Sequence, residues 1–145
     1  MERYRVLLVE DNPADVRLTR ETLRESPLGI ELDVAPDGAE ALDYLFRRGS
    51  YRDVPRPDLV LLDLNLPKVD GYAVLRAVKT TEALRMLPVV VLTTSRDPYD
   101  VQACYRAYAN AYLVKPIALD EFTTMLHSLE EFWFSRALLP SRVQP

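Results

Sequence analysis

The chain has 145 residues, 48% of them hydrophobic and 28% charged, with a net charge of −4. That is the balance of a soluble globular protein with room for one core, and the acidic surplus argues against a nucleic-acid-binding face. The single cysteine, Cys104, excludes an internal disulfide and fits a reducing cytoplasm, while the apolar run at residues 6–9 is too short for a signal peptide or a membrane span.

Arg5-Val6-Leu7-Leu8-Val9 is apolar on both faces and reads as a buried strand ending in Glu10-Asp11. Asn12 then serves as an N-cap, with Pro13 at the first helical position and Asp15 in the first turn. This helix runs to about Ser26, with Val16, Thr19 and Leu23 inward. Residues 30–35 alternate like an edge strand, and Asp37-Gly38 opens a helix with Ala41, Leu42, Leu45 and Phe46 inward. Residues 47–56 are polar and read as a loop. Leu59-Val60-Leu61-Leu62 is a central strand ending in Asp63. Asp70-Gly71 starts a helix carrying Val74, Leu75 and Val78, and residues 84–87 form a short extra turn.

Val89-Val90-Val91-Leu92 is the next buried strand, ending in Thr93-Thr94-Ser95. Asp97-Pro98 caps a helix presenting Val101, Cys104, Tyr105 and Tyr108. Ala111-Tyr112-Leu113-Val114 is the fifth strand, stopped by Lys115-Pro116. Asp120 caps a last, extended C-terminal helix with Phe122, Met125, Leu126, Leu129 and Trp133 at helical spacing. Five strands alternating with five helices imply a doubly wound α/β fold of the flavodoxin type, a parallel sheet in the order 2-1-3-4-5. No repeat or linker divides the chain. One domain is expected over residues 1–135, followed by a tail over 136–145 that is an interface or disordered.

In that strand order Glu10, Asp11 and Asp63 converge at the carboxyl edge of the sheet, and Thr93 and Lys115 join them. Three clustered carboxylates repel one another and suit a hard divalent cation, magnesium by expectation. A lysine and a threonine hydroxyl beside them suit phosphoryl transfer to a carboxylate, where positioning and charge neutralisation do most of the work.

Val9-Glu10-Asp11-Asn12, Asp63-Leu64-Asn65-Leu66-Pro67 with Asp70-Gly71, Leu92-Thr93, and Tyr112 with Lys115-Pro116 together resemble a response-regulator receiver domain over residues 4–135. The resemblance implies that Asp63 is the phosphoacceptor and that Glu10 and Asp11 bind magnesium with the backbone carbonyl of Asn65. It makes Thr93 the switch hydroxyl, Tyr112 the switch aromatic and Lys115 the phosphate-pairing lysine, with a cis Lys115–Pro116 bond. Thr94 and Ser95 would tune the access of water.

More narrowly, Glu10-Asp11-Asn12-Pro13-Ala14-Asp15, the loop at 47–56, Asp63-Leu64-Asn65-Leu66-Pro67-Lys68 and Leu92-Thr93-Thr94-Ser95 are similar to stand-alone regulators of phytochrome-type histidine kinases. One departure is Tyr108, which stands where receivers commonly place glycine. A bulky residue disfavours the left-handed cap a glycine would allow there, so the departure bears on the local path of the fourth helix and on the switch surface. Cys104 reads as a buried apolar residue, and His127 as a surface residue without a phosphohistidine role.

The function implied is a cytoplasmic single-domain response regulator of a two-component system, phosphorylated by a histidine kinase and acting on no other substrate. No output domain, nucleic-acid contact or membrane contact is expected. Residues 131–139 carry more apolar bulk than one helix face can bury, which favours a homodimer through this region over a tail folded back on its own domain. Two rival functions remain, a receiver used only for protein binding and a magnesium-dependent phosphohydrolase of the haloacid type. The latter usually carries a second acid where this chain has Asn65.

Overall fold

A computed structural model describes residues 3–143, so the first two residues of the expected domain and the last two of the expected tail lie outside the described residues. The strands are β1 (Tyr4–Val9), β2 (Ile30–Ala35), β3 (Leu59–Leu62), β4 (Val89–Thr93) and β5 (Ala111–Val114). They alternate with helices α1 (Pro13–Arg24), α2 (Gly38–Leu45), α3 (Gly71–Lys79), α4 (Pro98–Arg106) and α5 (Leu119–Glu131). All strand pairings are parallel in the order β2-β1-β3-β4-β5, the doubly wound arrangement expected.

The two faces of the sheet explain why β1, β3 and β4 are continuously apolar. Leu7, Val9, Val60, Leu62, Val89 and Val91 pack with Leu45, Val74, Leu75, Val78 and Cys104 on one face. Val6, Leu8, Leu59, Leu61, Val90 and Leu92 pack with Phe122, Leu126 and Leu129 on the other. Each fully buried side chain of this size contributes about 1.5–3 kcal/mol of hydrophobic stabilisation. The expected caps Asn12, Asp37, Asp70 and Asp97 each accept backbone N–H bonds at the start of a helix.

Several expectations are corrected. Asp120 does not cap α5: the N-cap is Ala118, without a side-chain bond, and Asp120 and Glu121 lie in the first turn, where the helix dipole favours them. The loop at 47–56 contains a 3-10 turn, Gly49–Tyr51. No described peptide bond is cis, so Lys115–Pro116 is trans, the isomer X–Pro bonds intrinsically favour by about 0.5–1 kcal/mol. Of the apolar stripe expected on α4 only Cys104 is buried; Val101 is half-buried, Tyr105 is exposed within the helix, and Tyr108 lies past its end at Arg106.

Tyr108 keeps the left-handed path that its bulk disfavours, with φ 71°. Its N–H bonds to Tyr105 O at 3.0 Å and the next N–H, of Ala109, to Cys104 O at 3.0 Å. That pair of bonds is a Schellman closure, strong enough to hold a non-glycine residue at a conformation costing about 1–2 kcal/mol.

After α5 the chain makes a π-helical turn, Phe132–Arg136, and then a 3-10 turn, Pro140–Arg142. Phe134 packs against Tyr4 with ring centroids 4.6 Å apart and the rings tilted by 37°, and Leu139 is buried. Asp58, at the amino end of β3, accepts from Arg142 Nη2 at 2.8 Å, Arg142 Nε at 3.2 Å, the Ser141 hydroxyl and the Arg5 N–H at 2.8 Å. The Arg142 guanidinium also lies over the Tyr4 ring, 4.6 Å from its centroid.

Candidate functional site

Because β1 and β3 run side by side with Val9 opposite Leu62, the residues that follow them leave the sheet together. The Asp63 N–H donates to Val9 O at 3.0 Å. One oxygen each from Glu10, Asp11 and Asp63 falls within 4.8 Å of the other two, Glu10 and Asp63 being buried and Asp11 exposed. The turn after Asp63 folds tightly over it: the Asn65 N–H donates to Asp63 Oδ1 at 3.4 Å, and the Gly71 N–H to Leu64 O at 2.9 Å. A Cβ on Gly71 would stand 2.0 Å from Asp63 O, so α3 can start this close only from a glycine.

Lys115 reaches the same point from the end of β5, its N–H anchored to Thr93 O at 2.8 Å. Its buried ammonium bonds to Asp15 Oδ2 at 2.9 Å, Asp63 Oδ2 at 3.2 Å and Glu10 Oε1. Burial works against that charge, but Glu10, Asp15 and Asp63 outweigh it and hold the lysine above its ordinary pKa. Burial, with Asp63 nearby, pushes Glu10 up to about 7 in spite of Lys115. Four carboxylates therefore face one ammonium, an excess of negative charge that fits a divalent cation on an all-oxygen donor set.

Thr93 Oγ1 is buried and has no hydrogen-bond partner. A buried hydroxyl without a partner is costly unless something else supplies one, which marks this as a place for an incoming oxygen. Tyr112 donates its hydroxyl to Ser95 O at 2.9 Å, and its N–H donates to the Tyr105 hydroxyl at 3.1 Å. Ser95 itself is held by Asp100 Oδ2 at 2.6 Å, and Thr94 is exposed. Cys104 is buried, and burial, reinforced by Asp100, pushes its thiol up to about 11, which leaves it unreactive. His127 Nδ1 lies 2.7 Å from Glu130 Oε1 on the outside of α5, remote in sequence from the strand-end acids.

The residues named from sequence thus divide cleanly: Glu10, Asp11, Asp63 and Lys115 converge, Thr93 joins Lys115 through the backbone, and Tyr112 lies one step outward. Sequence reasoning missed Asp15, which it read only as a helix-dipole acid. The signal was there, since a residue in the first turn of α1 stands directly above the end of β1. It also missed Asp58, whose partners lie in the tail.

A parallel five-stranded sheet carrying this acidic cluster, lysine and free hydroxyl at its carboxyl edge defines a receiver of two-component signalling. Residues 6–127 match the response regulator receiver domain, and the chain belongs to that family. It is 45% identical over 136 residues to response regulator Rcp1 of Synechocystis sp., covering 94% of this chain and 92% of Rcp1. The crystal structure of the Mn2+-bound form of Rcp1 superimposes with a TM-score of 0.92 at 44% identity over 94% of this chain and 99% of that one. The phosphorylated cyanobacterial phytochrome response regulator RcpA gives 0.94 at 43% identity, over 96% and 99%. The bacteriophytochrome response regulator AtBRR gives 0.74 at 45% identity, over 97% and 99%.

Proposed function

We propose that this response regulator accepts a phosphoryl group on Asp63 from a sensor histidine kinase. The observation that carries the reading is the buried Lys115 ammonium held among Glu10, Asp15 and Asp63. In the transfer an Asp63 oxygen attacks the phosphorus of a phosphohistidine; the P–N bond breaks, the P–O bond forms, and the released imidazole takes up a proton. Lys115 pairs with the phosphoryl oxygens, and the unpartnered Thr93 hydroxyl donates to one of them. Glu10, Asp11, Asp63 and the Asn65 carbonyl would hold magnesium, which when bound neutralises the charge between the acids and the incoming phosphoryl group. The protein acts on no substrate but itself.

The new acyl phosphate draws Thr93 toward it, and Tyr112 follows as the loop at 93–95 closes. The names of RcpA and AtBRR support a phytochrome-type kinase as partner. No helix among the described residues is long and apolar enough to cross a membrane. A second copy of the chain is the proposed occupant of the apolar groove of 450 Å³ lined by Leu113, Met125, Leu129, Phe132 and Trp133, beside the edge strand β5.

Incubation with magnesium and acetyl phosphate, followed by intact-mass measurement, tests the reading. The expected result is one added phosphoryl group, absent in Asp63→Asn. Labelling that survives the substitution, or no labelling at all, overturns it. Turnover of phosphomonoesters would favour the phosphohydrolase reading, against which the Asn65 position speaks.

A further inference from the structure

The surface between α3 and α4 is basic and aromatic on a chain that is acidic overall. A cavity of 330 Å³ there is lined by Tyr72, Arg76, Lys79, Thr80, Arg106 and Tyr108, together with Ala107. A second hollow shares Lys79 and Tyr108 and adds Arg85 and Tyr105. Four cations and three tyrosines meet here, and no carboxylate lines either hollow. Asp70, Glu82 and Asp100, the acids nearest in sequence, are absent from both linings. With a net charge of −4 for the whole chain, such a gathering of one sign is a local feature and not a by-product of composition.

The cations keep their charge for an outside partner. Among the described residues, the guanidinium groups of Arg76, Arg85 and Arg106 make no ion pair. Lys79 Nζ bonds only to neutral oxygens, Arg85 O at 3.1 Å, Leu87 O at 2.8 Å and Asn110 Oδ1 at 3.0 Å, which fix its position without cancelling its charge. Tyr108 is 75% exposed and lines both hollows, its backbone held in the left-handed region. Strain kept at an exposed side chain is a feature of binding sites.

We infer that the α3–α4 surface docks an acidic peptide segment of a partner protein, its carboxylates on Arg76 and Arg106 and its apolar atoms against Tyr72 and Tyr108. Arginine and tyrosine are the side chains that dominate such contacts, and a planar guanidinium matches a carboxylate in two bonds. The surface is tied to the proposed switch. The Tyr105 hydroxyl accepts the Tyr112 N–H, so a partner bound over Tyr105 and the position of Tyr112 bias each other. That coupling rests on the phosphoacceptor reading; the docking itself does not.

Fluorescence anisotropy of a labelled oligoglutamate peptide, titrated with the full chain, tests the docking. Arg76→Glu with Arg106→Glu is expected to weaken binding about tenfold or more, and added salt to weaken the wild-type complex. Arg20→Glu with Arg24→Glu, on α1 where Glu31 and Asp33 share the lining, is expected to leave binding unchanged. Arg76→Gln with Arg106→Gln serves if the reversal unfolds the chain. No binding by the wild type, equal weakening by the control pair, or a preference for a single-stranded oligonucleotide over oligoglutamate overturns the inference. Asp63→Asn must bind as the wild type does, so failure of the phosphoacceptor reading leaves this result standing.

Discussion

Lys115 Nζ lies 3.2 Å from Asp63 Oδ2 across two strand ends, and the same ammonium is the only cation bonded to Glu10 among the described residues. Removing it as Lys115→Ala leaves buried carboxylates without a counter-charge. The expected cost is about 3 kcal/mol in urea denaturation without divalent cations, part of which magnesium recovers. A variant as stable as the wild type in metal-free buffer would contradict the electrostatic account.

Glu10 should make cation binding depend on pH. Its carboxyl, raised to about 7 by burial, keeps its proton below that value, and a cation needs it ionised. Affinity for magnesium therefore falls as pH drops through about 7 and levels off above it. Calorimetry in buffers of different ionisation enthalpy would detect the proton released on binding; a flat pH profile would contradict the assignment.

Tyr108→Gly relieves the left-handed strain without touching the core. Stability is expected to rise by about 1 kcal/mol, read as a higher urea midpoint with unchanged slope. The same substitution removes a ring from the α3–α4 surface and should weaken oligoglutamate binding, so stability and binding move in opposite directions.

Asp58 governs acid sensitivity at the other end of the sheet. Burial alone would raise its pKa, but Arg142, Ser141 and the Arg5 N–H hold it below the ordinary value of 3.8. A depressed carboxyl stabilises the fold above its unfolded-state pKa and loses that contribution as pH falls through the folded-state value. Arg142→Ala is expected to cost about 1–3 kcal/mol at neutral pH. The gap to wild type should narrow below about pH 4.

Phe132, 54% exposed beside the edge strand, tests the second copy. If the groove of Leu113, Met125 and Trp133 is the contact, Phe132→Glu shifts the chain from dimer to monomer in sedimentation equilibrium. A monomeric wild type would remove the proposal.

Most of the sheet was legible because β1, β3 and β4 are short apolar runs closed by acids or hydroxyls, and strand order alone then gathers Glu10, Asp63, Thr93 and Lys115. What was not legible depends on contacts without a period. Asp15 looks like any first-turn acid until α1 is set over the strand end. Tyr105 and Tyr108 continue the α4 spacing on paper, yet Tyr105 stands on the exposed side of the helix and Tyr108 lies past its end at Arg106. Asp58 and Arg142 are far apart in the chain, and nothing local pairs them.

That last pair has a kinetic consequence. Arg142 joins Asp58, the Arg3 carbonyl and the Tyr4 ring, while Asp58 in turn holds the Arg5 N–H. The start of the first strand and the closing turn are therefore tied through one side chain, and amide hydrogen exchange at Arg5 should accelerate when the turn at Pro140–Arg142 is loosened.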